Sequence, residues 1–225
     1  MISLENVTKS YPAGDTRQYV ARDLCFDFPE GEAMALIGRN GAGKSSLLRM
    51  VAGTMPPDRG RIVRRGRVSW PVGFQGSFHP DLTGLENLRF VARVYGVDTG
   101  DLTDFVADFA ELGPYLRRPV RDYSAGMKAR LAFAISMGVP FDTYLIDEVT
   151  SVGDGAFRQK SEEMLRQRLT RAGAIVVSHS MELLARLCTS GAVLERGRLF
   201  FYARVTRAIE HHDHLMQGRL PPWLR

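Results

Sequence analysis

Residues 38–45 read GRNGAGKS, and this spacing constrains the fold more than anything else in the chain. The pattern G-x-x-x-x-G-K-[ST] keeps side chains small where successive backbone N–H groups must turn toward one anion. Such a loop sits between a strand and a helix. Both flanks fit: AMALIG is a short apolar run ending at the loop, as a buried parallel strand does, and GKSSLLRMVAG carries a helical pattern. An anion held there also meets the positive end of the helix dipole. Gly38, Arg39, Asn40, Gly41, Ala42, Gly43, Lys44, Ser45 and Ser46 are therefore the candidate phosphate-binding residues. Lys44 supplies a point charge for β- and γ-phosphates, and the Ser45 hydroxyl a ligand for Mg²⁺. The structural alternative is a glycine-rich turn carrying a surface lysine.

The rest of the chain alternates strands and helices around that loop, the pattern of an α/β core. ISLENVT and YVARDLCFDF alternate apolar and polar residues as strands do, and RGRIVRRGRVSW reads as two short strands about Arg65 and Gly66. Thr83 and Glu86 form a T-x-x-E capping box that starts a helix through about Tyr95. Helical patterns at 102–112 and 125–137 follow, so a mostly helical stretch from about Leu82 to Val139 reads as an insertion between core strands. DTYLIDE and GAIVVSH resume the strands, separated by a polar helix over 156–171. A helix over 181–188, a hairpin turning at Arg196 and Gly197, a short helix and a polar tail complete the chain. At 225 residues and 44% hydrophobic content, one globular core is the expected organisation.

Composition narrows the setting. No apolar run approaches the roughly 18 residues that read as a membrane span, and MISLENVTKS lacks the features of a secretion signal. Cys25 and Cys188 offer neither metal spacing nor a disulfide framework, which points to the cytosol. The net charge of +5 permits nucleic acid or an anionic membrane surface as a partner, although a solvated, phosphate-friendly arginine surface is the favoured account.

Several residues carry candidate chemistry. An ionised Asp147 at the end of the apolar run YLID needs a partner, and Mg²⁺ shared with Ser45 and a nucleotide would provide it. Glu148 points to the opposite side of the extended chain and is the candidate to polarise an attacking water. His179 follows the run AIVVS, which sets it at a strand end within reach of a γ-phosphate; a structural cap is the alternative. Tyr11 is the candidate to stack on a base, with core packing as its alternative, while Tyr19 reads as a strand packing residue. YSAGM (residues 123–127) starts a helix and so offers a second anion site, or simply an N-cap at Ser124. HHDH (residues 211–214) could bind a metal but reads more naturally as a solvated helix end, and PPWLR could anchor to a partner.

Taken in order, GRNGAGKS, YSAGM, YLIDE, an acidic D-loop at Gly153 and Asp154, and His179 resemble the ATP-binding subunit of an ABC transporter over nearly the whole chain. SWPVG, LTGLEN and YSAGM further resemble the ATPases of capsular polysaccharide export. The resemblance implies an α/β P-loop NTPase core with an antiparallel β subdomain and a helical insertion, all within a single nucleotide-binding domain over 1–225, its helical subdomain at about 82–139. ATP and Mg²⁺ are the implied cofactors, with Lys44, Glu148 and His179 in catalysis and Ser45, Asp147 and Gln75 on the metal. Ser124, Ala125, Gly126 and Met127 would form the signature that contacts ATP held by a second copy, with Asp154 in the D-loop and Gln75 in the Q-loop. Two departures stand out: Ala125 and Met127 replace a glycine and the glutamine of the usual LSGGQ signature, and Gln75 lies one residue out of the common register from Glu86.

The implied assembly is a homodimer of ATPases working with two copies of a transmembrane permease and with envelope export proteins. It would lie at the cytoplasmic face of the inner membrane, touching the membrane only through the permease and binding no nucleic acid. O-antigen and teichoic acid export are the neighbouring alternatives. A carbohydrate-binding domain of the kind appended to some O-antigen exporters is not expected. A P-loop ATPase acting on DNA or ribosomes is the rival that the basic charge permits, but the coiled coil or paired cassettes of such proteins are missing from the sequence.

Overall fold

The structure is a computed structural model that describes residues 1–73, 78–147 and 155–224. Its described residues fall into two compact units, one drawn from Met1–Pro71, Asp142–Glu148 and Arg171–Arg225, the other from Val72–Phe141 and Val149–Thr170.

The first unit holds two sheets. β1 (Ile2–Ala13), β2 (Thr16–Phe28) and β4 (Arg59–Arg64) form an antiparallel sheet in the order β2-β1-β4. The larger sheet has the order β5-β6-β7-β3-β8-β9, built from β3 (Ala33–Ile37), β5 (Val68–Val72), β6 (Thr143–Asp147), β7 (Gly173–Val177), β8 (Ser190–Glu195) and β9 (Arg198–Tyr202). β6, β7, β3 and β8 run parallel, and the hairpin partner β9 runs antiparallel to β8. Every residue of β3 and β7 is buried, as expected of central parallel strands covered on both faces. Between the sheets lies helix α1 (Lys44–Ala52), whose Leu47, Leu48, Met50 and Val51 pack with Ile2, Leu4, Phe28, Met34, Leu36, Leu145 and Ile175.

β3 follows β2 in sequence but pairs with β7 and β8, so β7 separates it from β6. Because these four strands are parallel, their carboxyl ends share one edge. The loop after β3, Asp147 at the end of β6 and His179 just past β7 therefore open onto the same edge, where open α/β sheets bind ligands.

The second unit is helical. Helix α2 (Gly84–Tyr95) starts at the Thr83 capping box, with the Thr83 Oγ1 accepting the Glu86 N–H and the Glu86 carboxylate accepting the Thr83 N–H. α3 (Thr99–Ala110), α4 (Ala125–Gly138) and α5 (Gly155–Leu169) pack through Phe105, Phe109, Phe133 and Phe157. Leu131 through Met137 of α4 are all buried, so this helix is a core element rather than an amphipathic one. Two motifs meet here: Tyr123 is buried, its hydroxyl donates to Tyr115 O, and a Cβ on Gly84 would stand 2.5 Å from that hydroxyl. Asn87 is buried with both ends of its amide engaged, accepting from His79 N–H and donating to the carbonyls of His79, Leu82 and Thr83.

The C-terminal end corrects one expectation. Helix α6 (Met181–Leu187) and helix α7 (Val205–Met216) return to the first unit, and HHDH is not a solvated helix end: His211 is 0% and His212 8% exposed. Val205, Ala208, His212 and Leu215 recur at helical spacing, and this face turns inward. Gly191 of β8 allows the approach, since a Cβ there would lie 2.6 Å from the Ala208 Cβ. Among the described residues no group of three or more His, Cys, Asp or Glu side chains is placed to hold a metal ion. The tail folds back, with Trp223 Nε1 donating to Tyr202 Oη, which in turn bonds His211 Nδ1.

Burial pushes both histidine pKa values down. Below the unfolded value of about 6.5, the unfolded chain thus takes up protons that the folded chain refuses, and stability falls with pH. The melting temperature should drop from pH 7.5 to 5.5, and His212→Gln should drop less over that range; an identical pH slope in the two proteins would refute this account.

Candidate functional site

The loop over 38–45 is held by contacts from three directions. Gly43 sits at φ 104°, a left-handed conformation, and a Cβ there would collide with Val20 of β2. Gly38 packs against β8, where a Cβ would come within 2.6 Å of Leu194 O. The Gln18 side chain of β2 donates to Gly41 O at 3.1 Å. Within the loop the Ala42 N–H donates to Arg39 O, and the Lys44 ammonium donates to Gly38 O at 2.7 Å and to Arg39 O at 3.1 Å. α1 begins at once, its first N–H groups lacking intrahelical partners.

Among the described residues, two cavities open on this loop. The larger, about 530 Å³, is lined by Tyr11, Gln18, Val20, Asn40, Gly41, Gly43, Lys44, Ser45, Ser46 and His179. Tyr11 is 36% exposed and so is not a core residue, and its hydroxyl lies 3.3 Å from Ser46 Oγ. β1 is steadied beside it by Asp58, whose carboxylate accepts from the Lys9 ammonium and from the Ser10 N–H, contacts that hold its pKa below the usual carboxylate range. Tyr19, the competing aromatic, lies instead under the Arg22 guanidinium. The smaller cavity, about 350 Å³, shares Asn40, Lys44 and His179 with the first and adds Gly38, Arg39, Ser178, Met181, His212 and Met216.

The sheet thus brings the loop, Tyr11 and His179 together, and Asp147 closes β6 in register with Val177 of β7. The residues expected to form the signature, Ser124, Ala125, Gly126 and Met127, lie in the helical unit. Ser124 is the N-cap of α4, its Oγ accepting the Met127 N–H at 3.2 Å, and Ser124, Ala125 and Gly126 are exposed. Gln75, Glu148 and Asp154 lie outside the described residues. Gln18 and Val20 escaped the sequence reading because nothing in a β-strand pattern marks a residue as a loop support. His212 and Met216 were legible only as spacing on α7.

A loop of this geometry, followed by a helix N-terminus and flanked by an aromatic ring, can hold a nucleoside polyphosphate. The ABC transporter family pattern matches residues 21–151. The chain belongs to the ABC transporter family, and its fold is that of an ABC ATPase cassette. It is 44% identical to the capsule polysaccharide export ATP-binding protein CtrD of Neisseria meningitidis serogroup B, a similarity covering 96% of this chain and 100% of that one. It is 46% identical to the polysialic acid transport ATP-binding protein KpsT of Escherichia coli, covering 93% of this chain and 97% of the relative. Among solved structures, the ATP-binding cassette MJ0796, in a dimeric post-hydrolysis state bound to ADP and Pi, superposes with a TM-score of 0.74 at 23% identity over 89% of this chain and 98% of its own. Among the described residues no helix is long and apolar enough to cross a membrane.

Lys44→Ala removes the one ammonium that the loop wraps around. Fluorescence titration with a labelled nucleotide should report affinity at least about tenfold weaker, the scale of one hydrogen bond to a charged group. Unchanged affinity would mean the nucleotide binds elsewhere.

Proposed function

We propose that this chain is the ATP-hydrolysing subunit of an ABC transporter that exports capsular polysaccharide, working as a homodimer with two copies of a separate membrane-spanning permease. The observation that carries this reading is one cavity shared by Tyr11, the glycine-rich loop, Lys44 and His179, in a chain more than 40% identical to proteins named for capsule polysaccharide export and polysialic acid transport. The reading takes in the whole chain as a single nucleotide-binding domain. It belongs at the cytoplasmic face of the inner membrane, held there by the permease and assisted by envelope export proteins. The polymer moves through the permease, and this subunit supplies the energy.

The triphosphate is bound by the loop N–H groups and the Lys44 ammonium, with the N-terminus of α1 adding favourable field. The site leaves room for it, since a Cβ on Gly41 would meet nothing within 4 Å. Tyr11, exposed and beside Ser46, offers its ring face to the base. The Ser45 hydroxyl and the Asp147 carboxylate are hard oxygen donors of the kind Mg²⁺ requires. That ion, when bound, neutralises charge developing between the phosphates. Glu148 orients the attacking water and His179 senses the γ-phosphate. Gln75 reports the metal's ligation to the permease side, and Asp154 reaches the second copy. Ser124, Ala125, Gly126 and Met127 close the site from the partner copy, where the exposed N-terminus of α4 suits an anion.

Glu148→Gln should keep ATP binding while lowering turnover by about 10²- to 10⁴-fold, since a positioned base contributes that much. In the same variant, sedimentation with MgATP should reveal a dimer that the nucleotide-free protein does not form. Parental turnover would assign the base elsewhere, and a monomer under both conditions would overturn the shared-site mechanism.

A further inference from the structure

A further cavity of about 420 Å³ opens at the opposite edge of the larger sheet. It is lined by Thr143 and Gly173, the first residues of β6 and β7, by Met34 of β3, and by Ile2 of β1, Phe28 of β2 and Arg65 just past β4. All of these belong to the first unit. Because the central strands are parallel, this cavity sits where their amino ends gather, whereas the glycine-rich loop, Asp147 and His179 lie at the carboxyl ends. β3 has five residues, which at about 3.3 Å each set the two edges about 16 Å apart. A ligand here does not overlap a nucleotide at the loop.

The cavity is of the size that holds a small molecule, and its chemistry is polar. Ile2, Phe28, Met34 and Ile175 are each 5% exposed or less, so an acyl chain has little to pack on. Arg65 and Arg171 present guanidinium groups that pair with no carboxylate among the described residues. Of the two lining carboxylates, Glu30 stands 2.7 Å from the Met1 amino group and is compensated. Asp142 is not: its Oδ2 accepts the Arg67 N–H at 2.6 Å, a neutral donor that orients the carboxylate without cancelling its charge. Gly66 permits that seat, since a Cβ there would come within 2.7 Å of the same oxygen. The hydroxyl of the next residue, Thr143, bonds to no described residue.

Two guanidinium groups call for phosphate or carboxylate, whose oxygens match the arginine fork. A bare anion would face Asp142, like charge to like charge, and would leave most of the cavity unused. A ligand that also carries hydroxyls removes both difficulties, because a hydroxyl donates to the carboxylate and accepts from Thr143. We propose that this cavity binds a small acidic sugar, its phosphate or carboxylate on Arg65 and Arg171 and its hydroxyls on Asp142 and Thr143. The site goes beyond the ATP-binding reading and does not depend on it.

The test is calorimetric titration of the full chain with glucose 6-phosphate and with glucuronate, the nucleotide site being saturated with a non-hydrolysable ATP analogue so that the loop cannot capture the phosphate. At least one acidic sugar should bind with a dissociation constant at or below about 1 mM, and the tighter of the two identifies the acid group. Glucose and inorganic phosphate, which each lack half of the recognised chemistry, should bind at least about tenfold more weakly. Arg171→Gln, a change at an exposed residue, should weaken the acidic sugar about tenfold and alter affinity for the ATP analogue by less than about twofold. Asp142→Asn, which retains an oxygen for the Arg67 N–H, should weaken the sugar while leaving inorganic phosphate no weaker. Absence of acidic-sugar binding would overturn the proposal. So would inorganic phosphate binding as tightly as glucose 6-phosphate, which marks a plain anion site, or L-glutamate binding more tightly than either sugar, which marks an amino-acid site. Binding that Arg171→Gln leaves unchanged places the sugar elsewhere and refutes the assignment. If the parent fails to bind the ATP analogue, the nucleotide reading fails alone, and the comparison of parent with Arg171→Gln still decides this one.

Discussion

A peptide loop can aim several N–H groups at one anion only if no side chain stands in the way, and here that constraint falls on Gly43. Its positive φ turns the end of the loop into helix α1, and its missing Cβ admits Val20 from the antiparallel sheet. Gln18 of the same strand fixes the Gly41 carbonyl, and Tyr11 of β1 stands beside Ser46. The three-stranded sheet is therefore part of the site: it buttresses the loop from outside and supplies the aromatic ring.

The parallel sheet supplies the other half. Residues distant in sequence reach one edge because β7 lies between β3 and β6, an arrangement that brings His179 past the loop and leaves Asp147 one strand further on. Strands buried on both faces tolerate little but small and branched apolar residues, so the polar chemistry is confined to the strand ends. α7 closes the far side of the loop by approaching β8 over Gly191, and so carries a histidine to a place that its own sequence neighbourhood does not suggest.

Much of this was legible in the residues. The capping box at Thr83 placed the start of α2, and the hairpin turn lies at Arg196 and Gly197, both at positive φ. GRNGAGKS and YSAGM each begin the helix that their spacing implies. Such features are local: a cap, a turn or a phosphate loop is encoded within a few residues of backbone hydrogen bonding. Asn87 was not legible in the same way. It reads as a polar residue in a helix, and only the fold of residues 79–83 over α2 makes its amide a clasp. Tyr123 and Gly84 belong to separate motifs whose contact depends on how α2 and α4 pack. HHDH was misread because charge and polarity suggested solvent, whereas the helical spacing from Val205 to Leu215 carried the decisive signal.

The sequence by itself determined the phosphate loop, the alternation of strands and helices, and the family, because each rests on short-range spacing that backbone geometry reads directly. Tertiary structure alone decided which strand supports the loop, that His179 and Tyr11 face the same cavity, and that His212 lies buried beside Lys44. Those are consequences of strand order and close helix approach, which arise from burying apolar surface across the whole unit rather than from any local pattern.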